Sequence, residues 1–297
     1  MWLILACISA IFLGFYDASK KASLRNNAVL PVLLLNTIFS TLIFSPVLIG
    51  QLCGCEWTGI EIPQGSTCRA HMLVILKACI VLTSWICGYF GLKHLPLTVA
   101  GPINATRPVI VLVGAMLIFG ERLNIYQWAG VLLTIFSVFM MSRAGKKENI
   151  DFKSNRWIWC LALATLTGAI SGLYAKFIMK SLDSLFVQSW FNFYQMIIMS
   201  VICMTLWFPQ RKQTTPFHWS WAIPLISVFI CIADFAYFTS LSDADSMISI
   251  VSLVRRGSVI VSFICGALIF KERNLRAKAL DLVLLLLGMI FIWIGTR

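Results

Sequence analysis

Charge is scarce in this 297-residue chain: Asp, Glu, Lys and Arg make up 12% of it, while 59% is hydrophobic. So little charge cannot cover a water-facing surface, and a mean hydropathy of +0.87 puts the chain in the membrane class. Histidine is scarcer still, at three residues, and His71, His94 and His218 sit near the ends of apolar segments instead of forming a catalytic or metal set. The G-x-S-x-G, phosphate-loop, C-x-x-C and H-E-x-x-H patterns are all missing. The chain is therefore read as not an enzyme, with no cofactor and no metal. Acidic residues are few as well, 12 against 24 Lys and Arg, for a formal net charge of +12. Many of the charges lie in short connectors, where they act first as topology signals, and no basic stretch is dense enough to claim nucleic acid.

What is present is a series of ten apolar segments, at 2–19, 29–50, 70–92, 96–119, 124–142, 157–179, 185–208, 217–241, 245–270 and 276–295. Each is long enough to cross a bilayer, and the alternation of a membrane β-strand is absent. Backbone polar groups in lipid must be satisfied within helices or closed barrels, so the pattern predicts an all-α integral membrane protein of ten transmembrane helices. Ten spans use roughly 200 residues and leave no room for a soluble catalytic domain. The first segment has no basic n-region or convincing cleavage site and reads as a retained helix. These features predict a multi-pass protein of the cell membrane, a bacterial inner membrane.

Connector charge gives an orientation. Lys20, Lys21, Arg25, Lys93, Arg143, Lys146, Lys147, Lys153, Arg156, Arg211, Lys212, Lys271, Arg273, Arg276 and Lys278 fall on one side. Arg69, Arg122, Lys180 and Arg297 fall on the other. The positive-inside rule places the first set in the cytoplasm and both termini outside. Cys53, Cys55 and Cys68 then share the longest outer loop, where a disulfide and three separate thiols are both open readings. The Cys53-Gly54-Cys55 spacing is too close for an ordinary zinc pair.

One pattern occurs twice. Leu117-Ile118-Phe119 and Glu121-Arg122 superpose on Leu268-Ile269-Phe270 and Glu272-Arg273 at a constant offset of 151. Gly14-Phe15-Tyr16 is echoed by Gly172-Leu173-Tyr174 at an offset of 158. The chain therefore divides into a first five-helix repeat at 1–142, a basic connector at 143–156 and a second five-helix repeat at 157–297. Five spans is an odd number, so the second copy is inverted, an arrangement that recurs in alternating-access transporters with a site near the midplane. A duplicated bundle without transport is the plainer alternative.

On the Phe119-Gly120-Glu121-Arg122-Leu123 motif, its echo Phe270-Lys271-Glu272-Arg273-Asn274, and the Gly14 and Gly172 regions, the chain resembles the drug/metabolite transporter superfamily, in its ten-helix branch of two EamA-type units. That resemblance covers essentially the whole chain. It implies a 5+5 inverted-repeat fold, secondary transport of small metabolites, and a central cavity lined by helices 1, 3, 4, 6, 8 and 9, with helices 5 and 10 peripheral. It does not fix a substrate, since members handle amino acids, nucleotide sugars, quaternary amines and drugs. Many relatives place their termini in the cytoplasm, opposite to the side read here from charge.

Intramembrane arginines carry the most information about a site, because a guanidinium within a span is costly and faces protein or a wet cavity. Arg107 and Arg255 lie on equivalent small, polar faces of the fourth and ninth segments; the offset pairs Asn104 with Arg255 and Arg107 with Ser258. These four are expected to bind substrate, with structural pairing as the alternative for the arginines. Arg256, a coupling or charge-pairing candidate, is turned about 100° from Arg255 on a helix, so the two do not both face the substrate and one of them is expected to pair internally. Asp234, inside the eighth segment, either exchanges a proton or neutralises an arginine. Lys176 follows Tyr174 on the echoed motif and is a further coupling or charge-pairing candidate, while Lys77 reads as snorkelling toward an interface. Tyr16, Trp85, Tyr89, Tyr174, Phe191, Tyr194 and Tyr237 could supply an aromatic wall. Gly101, Gly114 and Gly266 read as packing residues.

Together these residues predict alternating access for a small anionic or zwitterionic solute such as an amino acid or related metabolite. The partners are that solute, the lipid bilayer and, if Asp234 titrates, a proton; the protein is expected to be a monomer or weak dimer. An exporter of cationic or aromatic drug-like compounds is the first alternative. A lipid-modifying membrane enzyme or a non-transporting scaffold is the alternative from another class.

Overall fold

The computed structural model describes residues 1–24, 27–53, 67–94, 103, 106–143, 156–211, 215–258, 260, 261, 264, 265, 283, 284, 287, 288, 290, 291 and 293–295. These residues are helical with short connections and include no strand. Nine α-helices are defined among them: α1 Trp2–Leu24, α2 Val29–Cys53, α3 Cys68–His94, α4 Arg107–Phe119, α5 Ile125–Arg143, α6 Arg156–Met179, α7 Ser184–Ile202, α8 Ala222–Ser242 and α9 Ile248–Arg255. A π-helical turn, Cys203–Trp207, continues α7. Six stretches are long and apolar enough to cross a membrane: Trp2–Leu24, Val29–Cys53, Cys68–Gly88, Arg156–Met179, Ser184–Trp207 and Ala222–Ser242. α4 is apolar but shorter.

Local chemistry closes the helix ends and repairs their defects. Asp183 caps α7, its Oδ1 accepting from the N–H groups of Leu185 (2.7 Å) and Phe186 (3.1 Å). Asn124 and Gln127 form a reciprocal box at the start of α5. Gln127 N–H donates to Asn124 Oδ1 at 2.8 Å and Asn124 N–H donates to Gln127 Oε1 at 3.0 Å. Within α2, Pro46 has no N–H to give to the carbonyl four residues earlier. Ser45 Oγ donates to that carbonyl, Leu42 O, at 2.8 Å, so the proline is accommodated without an orphaned acceptor.

The chain forms two compact units, each taking residues from both sequence halves. Unit 1 is Met1–Leu82 with Ala175–Ala244. Here α1 packs along α8, and small buried residues, Ala6, Ser9 and Ala10 facing Ala233 and Ala236, let the backbones approach. Ser9 Oγ donates to Ala233 O at 2.7 Å and Ser240 Oγ to Trp2 O at 2.9 Å, which fixes the pair as antiparallel. α2 runs parallel to α8: Asn27 pairs with His218, Asn36 with Ser227 and Ser40 with Cys231, each 191 residues apart. Tyr16 is buried with Val32, Ile223, Ile226 and Ile230 in an apolar cluster.

Unit 2 is Thr83–Tyr174 with Asp245–Arg297. Glycines set its close approaches. A Cβ at Gly91 would stand 3.2 Å from Leu161, and one at Gly114 only 2.4 Å from Leu173 Cδ1. These contacts seat α3 and α4 against α6, which gives Gly114 the packing role expected of it; Gly101 and Gly266 lie outside the described residues. α9 packs on α4 and α5.

Candidate functional site

In unit 2, Arg107 stands at the first turn of α4, just before Pro108, where a missing N–H leaves no bond unmade. Its side chain reaches α6: Nη2 donates to Gly168 O at 2.7 Å. Gly168 is what makes room, since a Cβ there would lie 2.8 Å from Arg107 Cζ, 2.9 Å from Nη1 and 3.0 Å from Ser84 Oγ. Ser84 of α3 in turn donates to Ala164 O at 2.7 Å. A half-buried guanidinium of α4 thereby rests one edge on a carbonyl of α6. Trp85, next to Ser84, and Tyr174, near the end of α6, are half-buried in the same unit.

Arg255 closes the last turn of α9, half-buried, and Arg256 follows as its C-cap. Ser258, the repeat counterpart of Arg107, is 5% exposed. The start of α9 is held by a residue the sequence reading used only as a repeat marker. α4 ends at Gly120, whose φ of 65° is the left-handed conformation glycine adopts without strain, with its N–H returned to Ala115 O. The chain turns there, and the carboxylate of Glu121 reaches α9. Its Oε1 accepts from Ile248 N–H at 2.6 Å; its Oε2 accepts from Ser249 N–H at 3.2 Å and from Ser249 Oγ. A negative charge on the free N–H groups of a helix start is stabilising, and here it fixes the helix that carries Arg255. Glu272 and Thr98, which the 151-residue offset matches to Glu121 and Ser249, lie outside the described residues, as does Asn104. The side chain of Tyr89 lies outside them too.

Unit 1 holds the other candidates. Asp234 is half-buried on α8, one turn before the buried Tyr237 and Phe238. Lys176, 4% exposed, donates through Nζ to Leu241 O at 3.1 Å and to Asp243 O at 3.0 Å. Its ammonium thus caps carbonyls at the end of α8, where the helix dipole favours a cation. Lys77 departs from expectation. It is 2% exposed and does not reach an interface: its Nζ lies 4.3 Å from the ring centroid of Phe238 and 5.1 Å from that of Phe191. Tyr16 is buried, with the Lys20 ammonium 5.4 Å from its ring centroid. At the α3 start, His71 Nδ1 pairs with Tyr194 Oη at 2.8 Å, and Trp190 Nε1 donates to Gln51 Oε1 at 2.6 Å. Cys53 and Cys68 are exposed nearby in sequence to that cluster, and Cys55 lies outside the described residues. No group of three or more His, Cys, Asp or Glu residues could hold a metal ion among the described residues.

A family model described as the EamA-like transporter family matches residues 1–143 and 155–294. The chain belongs to that family. It is a multi-pass membrane protein, and the resemblance to the drug/metabolite transporters read from its motifs holds. Among curated relatives is a probable 4-amino-4-deoxy-L-arabinose-phosphoundecaprenol flippase subunit ArnE of Pectobacterium atrosepticum, 32% identical over 99 residues, covering 31% of this chain and 85% of the relative. A protein of the same name from Yersinia pseudotuberculosis is 39% identical over 102 residues, covering 32% and 84%. A solved crystal structure of a protein matches 99% of this chain and 98% of its own, with a TM-score of 0.73 at 15% identity, which shows a shared fold.

Proposed function

We propose that this protein is a secondary transporter working by alternating access, with ten spans arranged as two inverted five-helix repeats, 1–142 and 157–297, joined by the connector 143–156. Its substrate carries an anionic or zwitterionic group. The observation that carries this reading is Arg107: a half-buried guanidinium at the first turn of an apolar helix, held by Gly168 O at 2.7 Å. A charge fixed in this way at the start of a helix supports the reading of a preorganised anion contact. Arg255, on the helix held by Glu121, supplies the repeat-related arginine, with Ser258 and Asn104 as their polar counterparts. Trp85, Tyr89 and Tyr174 supply aromatic surface in the same reading, and Tyr16 and Tyr237 do so in unit 1. Asp234 is assigned proton exchange or charge balance, and the termini are assigned to the outer side.

The relatives' names describe a head group with both a phosphate and an amine on a lipid carrier. Such a head group falls within the charge class the arginines favour, so a lipid-linked substrate is a form of the same reading. The test is counterflow of labelled solutes in proteoliposomes, with anionic, zwitterionic, neutral and cationic candidates compared. Inhibition by anions or zwitterions, weakened at least about tenfold in Arg107→Ala or Arg255→Ala, is the expected result. Cations as the preferred class, with both variants unaffected, would reverse the assignment and promote Asp234.

A further inference from the structure

In unit 1, residues 208–221 connect the π-helical end of α7 to α8, and the charge around them is of one sign. No Asp or Glu occurs between Asp183 and Asp234, while Arg211 and Lys212 lie in this connector and Lys20, Lys21 and Arg25 at the α1–α2 turn. One buried amide ties the two together. Asn27 Nδ2 donates to His218 O at 2.6 Å, and Asn27 Oδ1 accepts from His218 N–H at 2.9 Å. The same side chain accepts from Ala28 N–H at 2.8 Å and donates to Ser23 O at 3.1 Å, so its full hydrogen-bonding capacity holds the connector in place. Two contacts, Thr41 with Asn192 and Gln51 with Trp190, set α2 antiparallel to α7, and the π-helical turn packs on α2 as well. Both ends of the connector therefore stand within one helix spacing, roughly 8–10 Å, of the start of α2.

What the pinned connector displays is aromatic surface and one open cation. Trp219 and Trp221 are 51% and 78% exposed and meet edge to face at 6.1 Å between ring centroids. Trp219 also meets Phe39 at 6.2 Å, and Phe39 lies well inside α2, so the Trp219 ring runs along the apolar wall of that helix instead of toward water. At the α7 end, Phe208 is 55% exposed and the Arg211 Cζ lies 4.4 Å from its ring centroid. A ring contact takes up the face of a guanidinium and none of its N–H donors, and no carboxylate or carbonyl among the described residues takes those donors up. Free phosphate or an acidic protein surface would meet the arginine and leave the tryptophans unused. A lipid with a negative head group matches both, its chains on the rings and its phosphate on the guanidinium. We propose that the 208–221 end of unit 1 binds an anionic phospholipid of the surrounding bilayer, with the phosphate on Arg211 and the acyl chains along Trp219 and Trp221. The lipid is a resident of the membrane and not cargo, so this site does not rest on the transport reading.

The test uses the full-length protein in a neutral detergent, with Tm read after addition of phosphatidylglycerol, phosphatidylcholine or sn-glycerol 3-phosphate, the last a head group without chains. Phosphatidylglycerol is expected to raise the wild-type Tm by several degrees more than phosphatidylcholine, and glycerol phosphate to leave it unchanged. Arg211→Gln is expected to lose at least about half of that difference while keeping the phosphatidylcholine shift. The double variant Trp219→Ala/Trp221→Ala is expected to lose most of the shift with both lipids. These side chains are exposed, so the lipid-free Tm of each variant stays near that of the wild type. Arg211→Lys keeps the charge without the planar donor set and is expected to fall between. Arg156→Gln is the control, since Arg156 also lies on a ring, that of Trp157 at 4.6 Å, but closes a connector that carries Glu148 and Asp151. Equal shifts with the two lipids in the wild type would overturn the site, and so would an equal loss in Arg156→Gln, which would show an effect of overall charge. A glycerol phosphate shift as large as that of phosphatidylglycerol would overturn the lipid as occupant. If the double variant does not fold, Arg211→Gln decides.

Discussion

At the scale of one residue, Gly168 decides more than its size suggests. A methyl group there would stand 2.8 Å from the Arg107 Cζ and 3.0 Å from Ser84 Oγ, and Arg107 must leave the Gly168 carbonyl to relieve the contact. A hydrogen bond from a charged donor contributes about 1.5–3 kcal/mol, so Gly168→Ala is expected to weaken substrate affinity about tenfold or more, with Tm within a few degrees of wild type. Uptake kinetics and thermal melting check this together; unchanged affinity with Arg107 displaced would remove it from the site. Arg107 itself was legible in the sequence, because a guanidinium between apolar residues is conspicuous whatever surrounds it. Its seat was not, since a glycine announces nothing until the neighbouring helix is in place. Lys77 shows the same limit from the other side: two turns from a span end is compatible with snorkelling, and only the rings of Phe191 and Phe238 show that it is enclosed.

Elements are held by their ends, and α9 gives the clearest case. The Phe-Gly-Glu-Arg motif reads in sequence as a repeat marker, and its geometry gives it work: Gly120 turns the chain and Glu121 closes the start of a helix 127 residues further on. Glu121→Ala leaves the N–H groups of Ile248 and Ser249 without that acceptor, at a cost of about 1–3 kcal/mol. Glu121→Gln keeps one acceptor oxygen but loses the charge, and is expected to fall between Ala and wild type. Both should lower Tm, and both should weaken substrate binding because α9 carries Arg255. Asp183→Ala at the start of α7 provides a comparison, losing a cap worth about 1 kcal/mol. A Glu121→Ala protein that melts like wild type would show that α9 does not depend on this carboxylate. The apolar segments themselves were legible because length and hydropathy alone define them, and six stretches meet that criterion among the described residues. Which helices share a unit was not legible, since Ser9 with Ala233 and Arg107 with Gly168 are pairings of distant segments that hydropathy does not encode.

For the whole molecule, the proposed inverted repeat depends on parity more than on any side chain. In the proposed arrangement, five spans before residues 143–156 put that connector across the membrane from the amino terminus, and five more return the carboxy terminus to the starting side. Protease sites inserted at both ends and in the connector, then probed in sealed right-side-out and inverted vesicles, read this directly. The expected pattern is two termini cleaved together and the connector cleaved only from the opposite side. The proposed orientation further has the connector inside, on the positive-inside reading of Arg143, Lys146, Lys147, Lys153 and Arg156. The two parts of this prediction fail separately. Termini together on the inner side would reverse the charge-based orientation and keep the inversion, since both repeats would still face opposite ways. A connector on the same side as the amino terminus would mean an even number of spans in the first half, two repeats facing the same way, and no symmetry by which one half could adopt the mirror arrangement of the other. Alternating access by exchange of inverted repeats would then have no structural basis in this chain.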